Sequence, residues 1–293
     1  MFSVVKMTSM KSAAIISKPS KPELAGILPE LLAWFGKRGY KLYLDEQTAE
    51  YIDGGEVVVR KNMGGKHPDF ALVLGGDGTL LSAARAVAHE GVPIMAVNLG
   101  SLGFLTEVPL NEMYATLEAI DAGTCPMEQR AVIDCTLFRG TEAIAHHFAL
   151  NDVVVNKSAI ARLVDFDLLI DGAFAFNYKA DGVIIATPTG STAYSLAAGG
   201  PVLMPSVQSF VVTPVCPHSL THRPLVVTDK AQIDLRIETG AEEAFLSIDG
   251  QIGMPVHQGD RVLCHRAQHS VKLLRVRRTF FDALRNKLKW GQR

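Results

Sequence analysis

The sequence predicts two domains of different texture: an α/β first half on a parallel sheet, then a mainly antiparallel all-β second half, closed by a helix that packs back on the first. Three observations predict this. Up to about residue 125, short buried strand patterns alternate with helix-sized amphipathic ones, as in parallel strands joined by covering helices. Beyond Cys125 the texture becomes short Val-, Ile- and Phe-rich stretches between Gly, Asp and Pro turns, which suits antiparallel strands. The third is length: at 293 residues a single hydrophobic core is near its growth limit, so two domains are slightly favoured. The expected boundaries are 1–125 with a returning tail 277–293, and 126–276.

In order, Ser12–Ile16 reads as a buried strand, Pro22–Arg38 as an amphipathic helix ending at Gly39, and Lys41–Leu44 as a strand. Phe70–Leu74 is a strand running into glycines, Leu80–His89 a helix, Pro93–Asn98 a strand, and Leu110–Ala122 a helix ending at Gly123. The β half is expected at Ala131–Phe138, Phe148–Asn156, Leu163–Ile170, Gly182–Ala186, Ser209–Pro214, Leu225–Val227, Gln232–Ile237, Ala244–Ile248, Arg261–His265 and Val271–Val276. One helix-sized interruption falls near Thr192–Ala198. Arg278–Trp290 returns to helical spacing, with Phe281, Leu284 and Leu288 on one face.

Lys+Arg 29 against Asp+Glu 30 gives a formal net charge of −1, so no broad positive field exists to hold nucleic acid. Charged residues at 20% and hydrophobic ones at 48% exclude disorder. Cys125, Cys135, Cys216 and Cys264 lie far apart, with no CxxC pair, and read as buried free thiols rather than a disulfide frame or zinc site. Cys216 and His218 lack further ligands, so Cys216–Pro224 reads as a structural loop. The basic tail, with Arg275, Arg277, Arg278, Arg285, Lys287 and Lys289, reads as a solvated helix face. No run reaches the ~18 apolar residues of a membrane span, and Ala13–Ile16 is too short for a secretory core. The expectation is a cytoplasmic protein without membrane or nucleic-acid partners. Because the first convincing strand begins at Ser12, the start is expected nearer Met7 or Met10.

Ala71–Leu74 ends in Gly75-Gly76-Asp77-Gly78-Thr79, and a helical run follows. Strand, glycine loop and helix point backbone N–H groups at an anion, although such turns are also purely structural. Asp77 sharpens the choice. A carboxylate ~4 Å from a phosphate is repelled by about 4 kcal/mol per unit charge at an effective dielectric of ~20, so an acid in an anion cradle needs another purpose. It could help hold the Mg²⁺ of a nucleotide, or face a substrate hydroxyl as base and orienting group. The loop lacks the Lys-Ser/Thr ending of a P-loop. An ordinary Asp, with a pKa of about 3.9, cannot remove a sugar proton in advance, but it can align the attacking oxygen and accept the proton late.

Asn98 to Leu105, Asn151-Asp152, Lys179-Ala180-Asp181-Gly182, Thr187 to Ser195 and Ser247-Ile248-Asp249-Gly250-Gln251 follow in order. Two polar groups at Asn151 and Asp152 inside an apolar run need partners, since unsatisfied burial costs about 1–3 kcal/mol per group. Ser191 or Thr192 can cap the helix after Pro188 and Gly190. Ser247–Gln251 has the turn signature of a plain hairpin.

With the GGDGT loop, these motifs resemble the NAD kinases, from about residue 11 to the carboxyl end. GGDGT loops also occur in diacylglycerol kinases, sphingosine kinases and phosphofructokinases; the later motifs separate the NAD kinases from them. The resemblance implies a Rossmann-like first domain that binds nucleotide, a second that binds NAD and forms a homo-oligomer, dimer or tetramer, and a site in the cleft between the two. It implies transfer of the terminal phosphate of ATP to the 2′-hydroxyl of the adenosine ribose of NAD, with a divalent metal, Mg²⁺, accompanying ATP and no dedicated protein ligand set. Asp77 is then the catalytic acceptor, and Gly75, Gly76, Gly78 and Thr79 line the phosphate cradle. Phe104 faces an adenine, and Asn151 and Asp152 the adenosine ribose; many relatives have Glu where Asp152 stands, which shortens its reach. Lys179 and Asp181 lie near NAD, Asp181 toward the nicotinamide end, supplied from its own or a neighbouring subunit, with Arg162 a positional match only. Thr192, Ala193, Tyr194, Ser195, Leu196 and Ala197 form an NAD-facing wall, joined by Gln251. The competing readings are a lipid kinase of the diacylglycerol type, and a module that binds NAD without turnover.

Overall fold

The parallel sheet forms where apolar runs are uninterrupted. In the computed structural model, which describes residues 11–100, 103–157, 163–239, 244–275 and 279–290, the chain divides into two compact units, Met1–Glu128 with Lys272–Arg293, and Gln129–Val271. Met7, Met10, Arg162, Arg277 and Arg278 lie outside the described residues.

The first unit carries a sheet ordered Glu56–Val57, Lys41–Leu44, Ser12–Ser17, Phe70–Gly75, Ile94–Asn98, Val271–Leu274, Met127–Arg130, with Val108–Pro109 also beside Ile94–Asn98. Ser12–Ser17 pairs in parallel with strands on both sides, Ala13 opposite Leu42 and Phe70. Phe70–Gly75 is buried throughout, as a strand covered on both faces must be. Helix Leu24–Lys37 covers the sheet with Leu24, Leu28, Leu31 and Phe35, one stripe at helical spacing. Two expectations change here. The helix expected from Leu80 begins at Asp77, because Gly76 takes the extended cap and an acid in the first turn favours the positive helix end. Val271–Leu274, expected among the antiparallel strands, runs parallel to Ile94–Asn98, with Leu273 opposite Ile94; a short apolar run does not reveal which sheet it joins. The last helix is Phe280–Leu288, closed at its start by a reciprocal Thr279–Asp282 capping box. Its buried residues are Ala283 and Leu284, while Phe281 is exposed.

The second unit has two six-stranded sheets. One runs Leu225–Thr228, Ser209–Val215, Gly182–Ala186, Asp152–Lys157, Ala244–Ile248, Ile252–Val256; the other runs Ala173–Ala180, Val164–Ile170, Ile233–Thr239, Asp260–Arg266, Ile133–Arg139, Glu142–Ala149. All their pairings are antiparallel. Val153, Val155 and Ile185 of the first share one core with Phe166, Leu235 and Val262 of the second. The helix-sized interruption is shorter than expected, a single turn Gly190–Thr192 followed by Tyr194–Ala197. All four cysteines are free; Cys135 and Cys264 are buried cross-strand partners, but Cys216 is exposed, contrary to expectation. Among the described residues no helix is long and apolar enough to cross a membrane.

Candidate active site

The glycine loop of the first unit is built around the Asp77 carboxylate. Phe104 N–H donates to its Oδ2 at 2.9 Å, while Oδ1 accepts from Leu105 N–H (3.2 Å), Thr106 N–H (3.0 Å) and the Thr106 hydroxyl (2.9 Å). A carboxylate offers about four acceptor directions, roughly two per oxygen. Oδ1 is therefore filled, and Oδ2 keeps one direction open. Asn98 braces the same segment, donating from Nδ2 to Thr106 Oγ1 at 2.9 Å and accepting Gly100 N–H at 2.6 Å.

The glycines of the loop divide by purpose. A Cβ on Gly75 would lie 2.4 Å from Thr79 Oγ1, and one on Gly103 would lie 2.0 Å from Asp77 Oδ1, so both are required by packing. A Cβ on Gly76 would meet nothing within 4 Å. The space over Gly76 is thus free for an incoming group, beside the N–H groups of the first turn of Asp77–Val87. Thr79 is buried, Gly78 is exposed and Phe104 is half-buried. Among the described residues no three His, Cys, Asp or Glu side chains converge as a metal cage. Mg²⁺ commonly arrives held by substrate phosphates with one or two carboxylates, and on Asp77 only the free direction of Oδ2 is left for any further contact.

In the second unit an open pocket of ≈ 360 Å³ is lined by Asn151, Asp152, Val154, Asn156, Ala193, Tyr194, Ser247, Asp249 and Gly250. Three stretches far apart in sequence make it. Asp152 opens the strand Asp152–Lys157, which is flanked by Gly182–Ala186 and Ala244–Ile248. The turn after Gly182–Ala186 is stapled to the residues before Asp152: Thr187 N–H donates to Asn151 O at 2.9 Å and its hydroxyl to Leu150 O at 2.6 Å. On the other side the Asp249 carboxylate accepts the N–H groups of Leu150 (3.1 Å), Asn151 (2.7 Å) and Asp152 (3.2 Å). Asp152 is 5% exposed, and burial pushes its carboxyl up to about 7, with the charge of Asp249 adding to the effect.

The staple depends on Gly190, whose Cβ would lie 2.0 Å from Asn151 O and 2.7 Å from Asn151 Cα. Both contacts are to backbone, so they cannot be relieved by rotating a side chain. Gly190→Ala is expected to lower the thermal unfolding free energy by roughly 1–3 kcal/mol, read by melting curves.

Of the residues expected at NAD, the structure brings Asn151, Asp152, Ala193 and Tyr194 to this pocket. Ser195 is fully buried with its hydroxyl on Thr213 Oγ1 at 2.9 Å, facing inward. Ser191 and Thr192 do not cap the short helix; their hydroxyls turn back to Pro188 O and Thr189 O, and Ala193 is the cap residue. Leu196, Ala197 and Gln251 are outside the lining. Lys179 is exposed and 4.0 Å from Asp165, and Asp181 pairs with Lys157 at 3.1 Å; neither lines the pocket. Asn156, Ser247 and Asp249 were not among the expected contacts. Asp249 carries no signal in the sequence, because Asp-Gly is an ordinary hairpin-turn pair.

Comparison with known proteins matches both units. Residues 13–125 match the ATP-NAD kinase N-terminal domain and residues 150–276 the ATP-NAD kinase C-terminal domain. The chain belongs to the ATP-NAD kinase family. The NAD kinase of Koribacter versatilis is 61% identical over 284 residues, covering 97% of this chain and 100% of that protein. That of Acidobacterium capsulatum is 51% identical over 285 residues, at the same coverage of both chains. Among solved structures, yeast NADH kinase complexed with NADH superposes with a TM-score of 0.86 at 24% identity, covering 97% of this chain and 89% of that one. An NAD kinase from Archaeoglobus fulgidus in complex with ATP gives 0.72 at 24% identity, covering 94% and 99%. At that identity the two structures speak for the fold, and the curated relatives and family domains carry the activity.

Proposed function

We infer that this chain is an ATP-dependent NAD kinase, transferring the terminal phosphate of ATP to the 2′-hydroxyl of the adenosine ribose of NAD. The observation that carries the reading is the pairing of an intact GGDGT loop with the Asn151–Asp152 pocket, in a chain that matches both domains of the family. None of the relatives described above is a lipid kinase.

The residues divide the work. Gly75, Gly76, Gly78 and Thr79 offer backbone N–H groups and the helix start to phosphate oxygens. Because the chain carries a net charge of −1, attraction of two phosphate-bearing substrates falls to these local donors and to Mg²⁺ brought with ATP. Mg²⁺ supplies charge neutralisation on the phosphates when bound. Asp77 orients the attacking hydroxyl and accepts its proton through the free direction of Oδ2, while Oδ1 holds residues 105–106 in place. Asn151 and Asp152 receive the adenosine ribose, and Ala193 and Tyr194 wall the adenosine. Asp181 is assigned to the nicotinamide end of NAD across a subunit contact, with Lys179 near it; the proposed state is a dimer or tetramer. A cytoplasmic location fits four free cysteines.

Purified protein with ATP, Mg²⁺ and NAD is expected to form NADP and ADP, read by a coupled NADP-specific dehydrogenase assay. Binding of NAD without NADP would leave a sensing module, and phosphorylation of diacylglycerol vesicles with indifference to NAD would leave a lipid kinase. Polyphosphate in place of ATP, and NADH in place of NAD, complete the same assay.

A further inference from the structure

The segment Leu150–Asp152 leads into the strand Asp152–Lys157, and Leu150 and Asn151 precede its ladder. Its three N–H groups are taken by the two oxygens of Asp249, from a hairpin almost a hundred positions away in sequence, and Asp249 N–H returns a bond to Asp152 O at 2.9 Å. Asp249 is 7% exposed and takes a left-handed φ of +50° beside Gly250 at +63°, as the central residues of a tight Asp-Gly hairpin turn do. The carbonyls of Leu150 and Asn151 are taken from the opposite side by Thr187. The backbone is therefore gripped on both sides. The Asn151 and Asp152 side chains, by contrast, take no hydrogen bond among the described residues, although both line the pocket.

We propose that Asp249 is a positioning residue for the acceptor substrate: by clamping three successive amides it aims the Asn151 and Asp152 side chains at the adenosine ribose. The proposal rests on the NAD kinase reading and goes beyond it, since Asp249 acts through the peptide rather than on the reacting atoms. Its charge has a second effect. Besides Asp152, the titratable groups lining the pocket are Asp249 and Tyr194; the flanking strand Gly182–Ala186 brings none, and Lys157 at the far end of the strand is paired with Asp181. Asp249 is thus the charged neighbour that helps keep Asp152 protonated up to about pH 7. An ionised Asp152 accepts ribose hydroxyls more strongly than a protonated one, so NAD affinity rises with pH across that range.

The test measures kcat and KM for NAD and for ATP from pH 5.5 to 8.5 in wild type, Asp249→Asn and Asp152→Asn. In Asp249→Asn the KM for NAD is expected to rise about tenfold or more on the alkaline side, where one clamp oxygen has become a donor facing amide donors. The KM for ATP stays unchanged. The rise of kcat/KM for NAD, centred near pH 7 in wild type, moves to lower pH because the like charge is gone. A merely structural role would not move that midpoint. In Asp152→Asn the rise disappears. Wild-type KM and midpoint in a folded Asp249→Asn, or a pH rise that persists in Asp152→Asn, overturns the proposal. Should Asp249→Asn fail to fold, as its melting curve would show, the Asp152→Asn arm decides. If wild type forms no NADP at all, the activity reading falls instead, and calorimetric titration of the same variants with NAD decides the positioning role.

Discussion

Asp77→Asn is expected to lower kcat by roughly 10²–10⁴-fold, the range typical for loss of a positioned acid–base group, while ATP and NAD still bind. The substitution acts at both carboxyl oxygens. Oδ1 collects the N–H groups of Leu105 and Thr106 and the Thr106 hydroxyl, and Oδ2 takes Phe104 N–H. An Asn can keep its oxygen on the crowded side, but its NH₂ then faces Phe104 N–H, donor against donor, and the acceptor for the substrate hydroxyl is gone. The first effect costs about 1–3 kcal/mol of unfolding free energy; the second removes alignment and the late proton acceptor. The two are separable. If Asp77 were only a structural anchor, Gly103→Ala, whose Cβ would press on Asp77 Oδ1 at 2.0 Å, should reproduce the whole loss in kcat at a similar drop in melting temperature. Calorimetric binding, melting curves and kcat on the two variants distinguish these outcomes, and full turnover in Asp77→Asn would remove the assigned role.

How much of this was legible follows sequence separation. Asp77 stands out because strand, glycines, acid and helix are consecutive, and physical rules for anion cradles apply to neighbours. The donors that hold it come from residues 104–106, close enough that Asn98–Leu105 could be flagged as part of the site, though not as the bed of the carboxylate. Asp249 is different. Nothing in a Ser-Ile-Asp-Gly-Gln hairpin announces that its acid will turn to residues 150–152, since that contact exists only once Asp152–Lys157 and Ala244–Ile248 pair side by side. Ser195 fails for a related reason: a hydroxyl in a polar turn looks available until Thr213 of the neighbouring strand takes it. The α/β half was readable because its central strands, Ser12–Ser17, Phe70–Gly75 and Ile94–Asn98, are short but almost uninterrupted buried runs. Edge strand Ala173–Ala180 went unread although Phe174, Phe176 and Tyr178 alternate along it; Phe174 and Phe176 are exposed, and only Tyr178 of the three is buried.

Asp152 carries the second large effect, and it concerns stability. In the unfolded chain this carboxyl loses its proton near pH 4, but in the folded pocket burial, helped by Asp249, keeps it up to about 7. Between those values the unfolded state binds fewer protons than the folded state, so the stability of the fold falls as pH rises from about 4 to about 7, and the whole penalty stands above that range. A shift of this size is equivalent to roughly 4 kcal/mol at about 1.36 kcal/mol per unit. Asn fills nearly the same volume and never ionises. Asp152→Asn is therefore expected to melt like wild type near pH 4 and to be more stable by up to about that amount at pH 8, at the expense of affinity for the ribose. Such a residue, costly to the fold and turned to the pocket without a donor of its own, is expected where a ligand supplies the missing partners. Equal melting temperatures of the two proteins at pH 8 would mean that Asp152 ionises as freely in the folded chain as in the unfolded one.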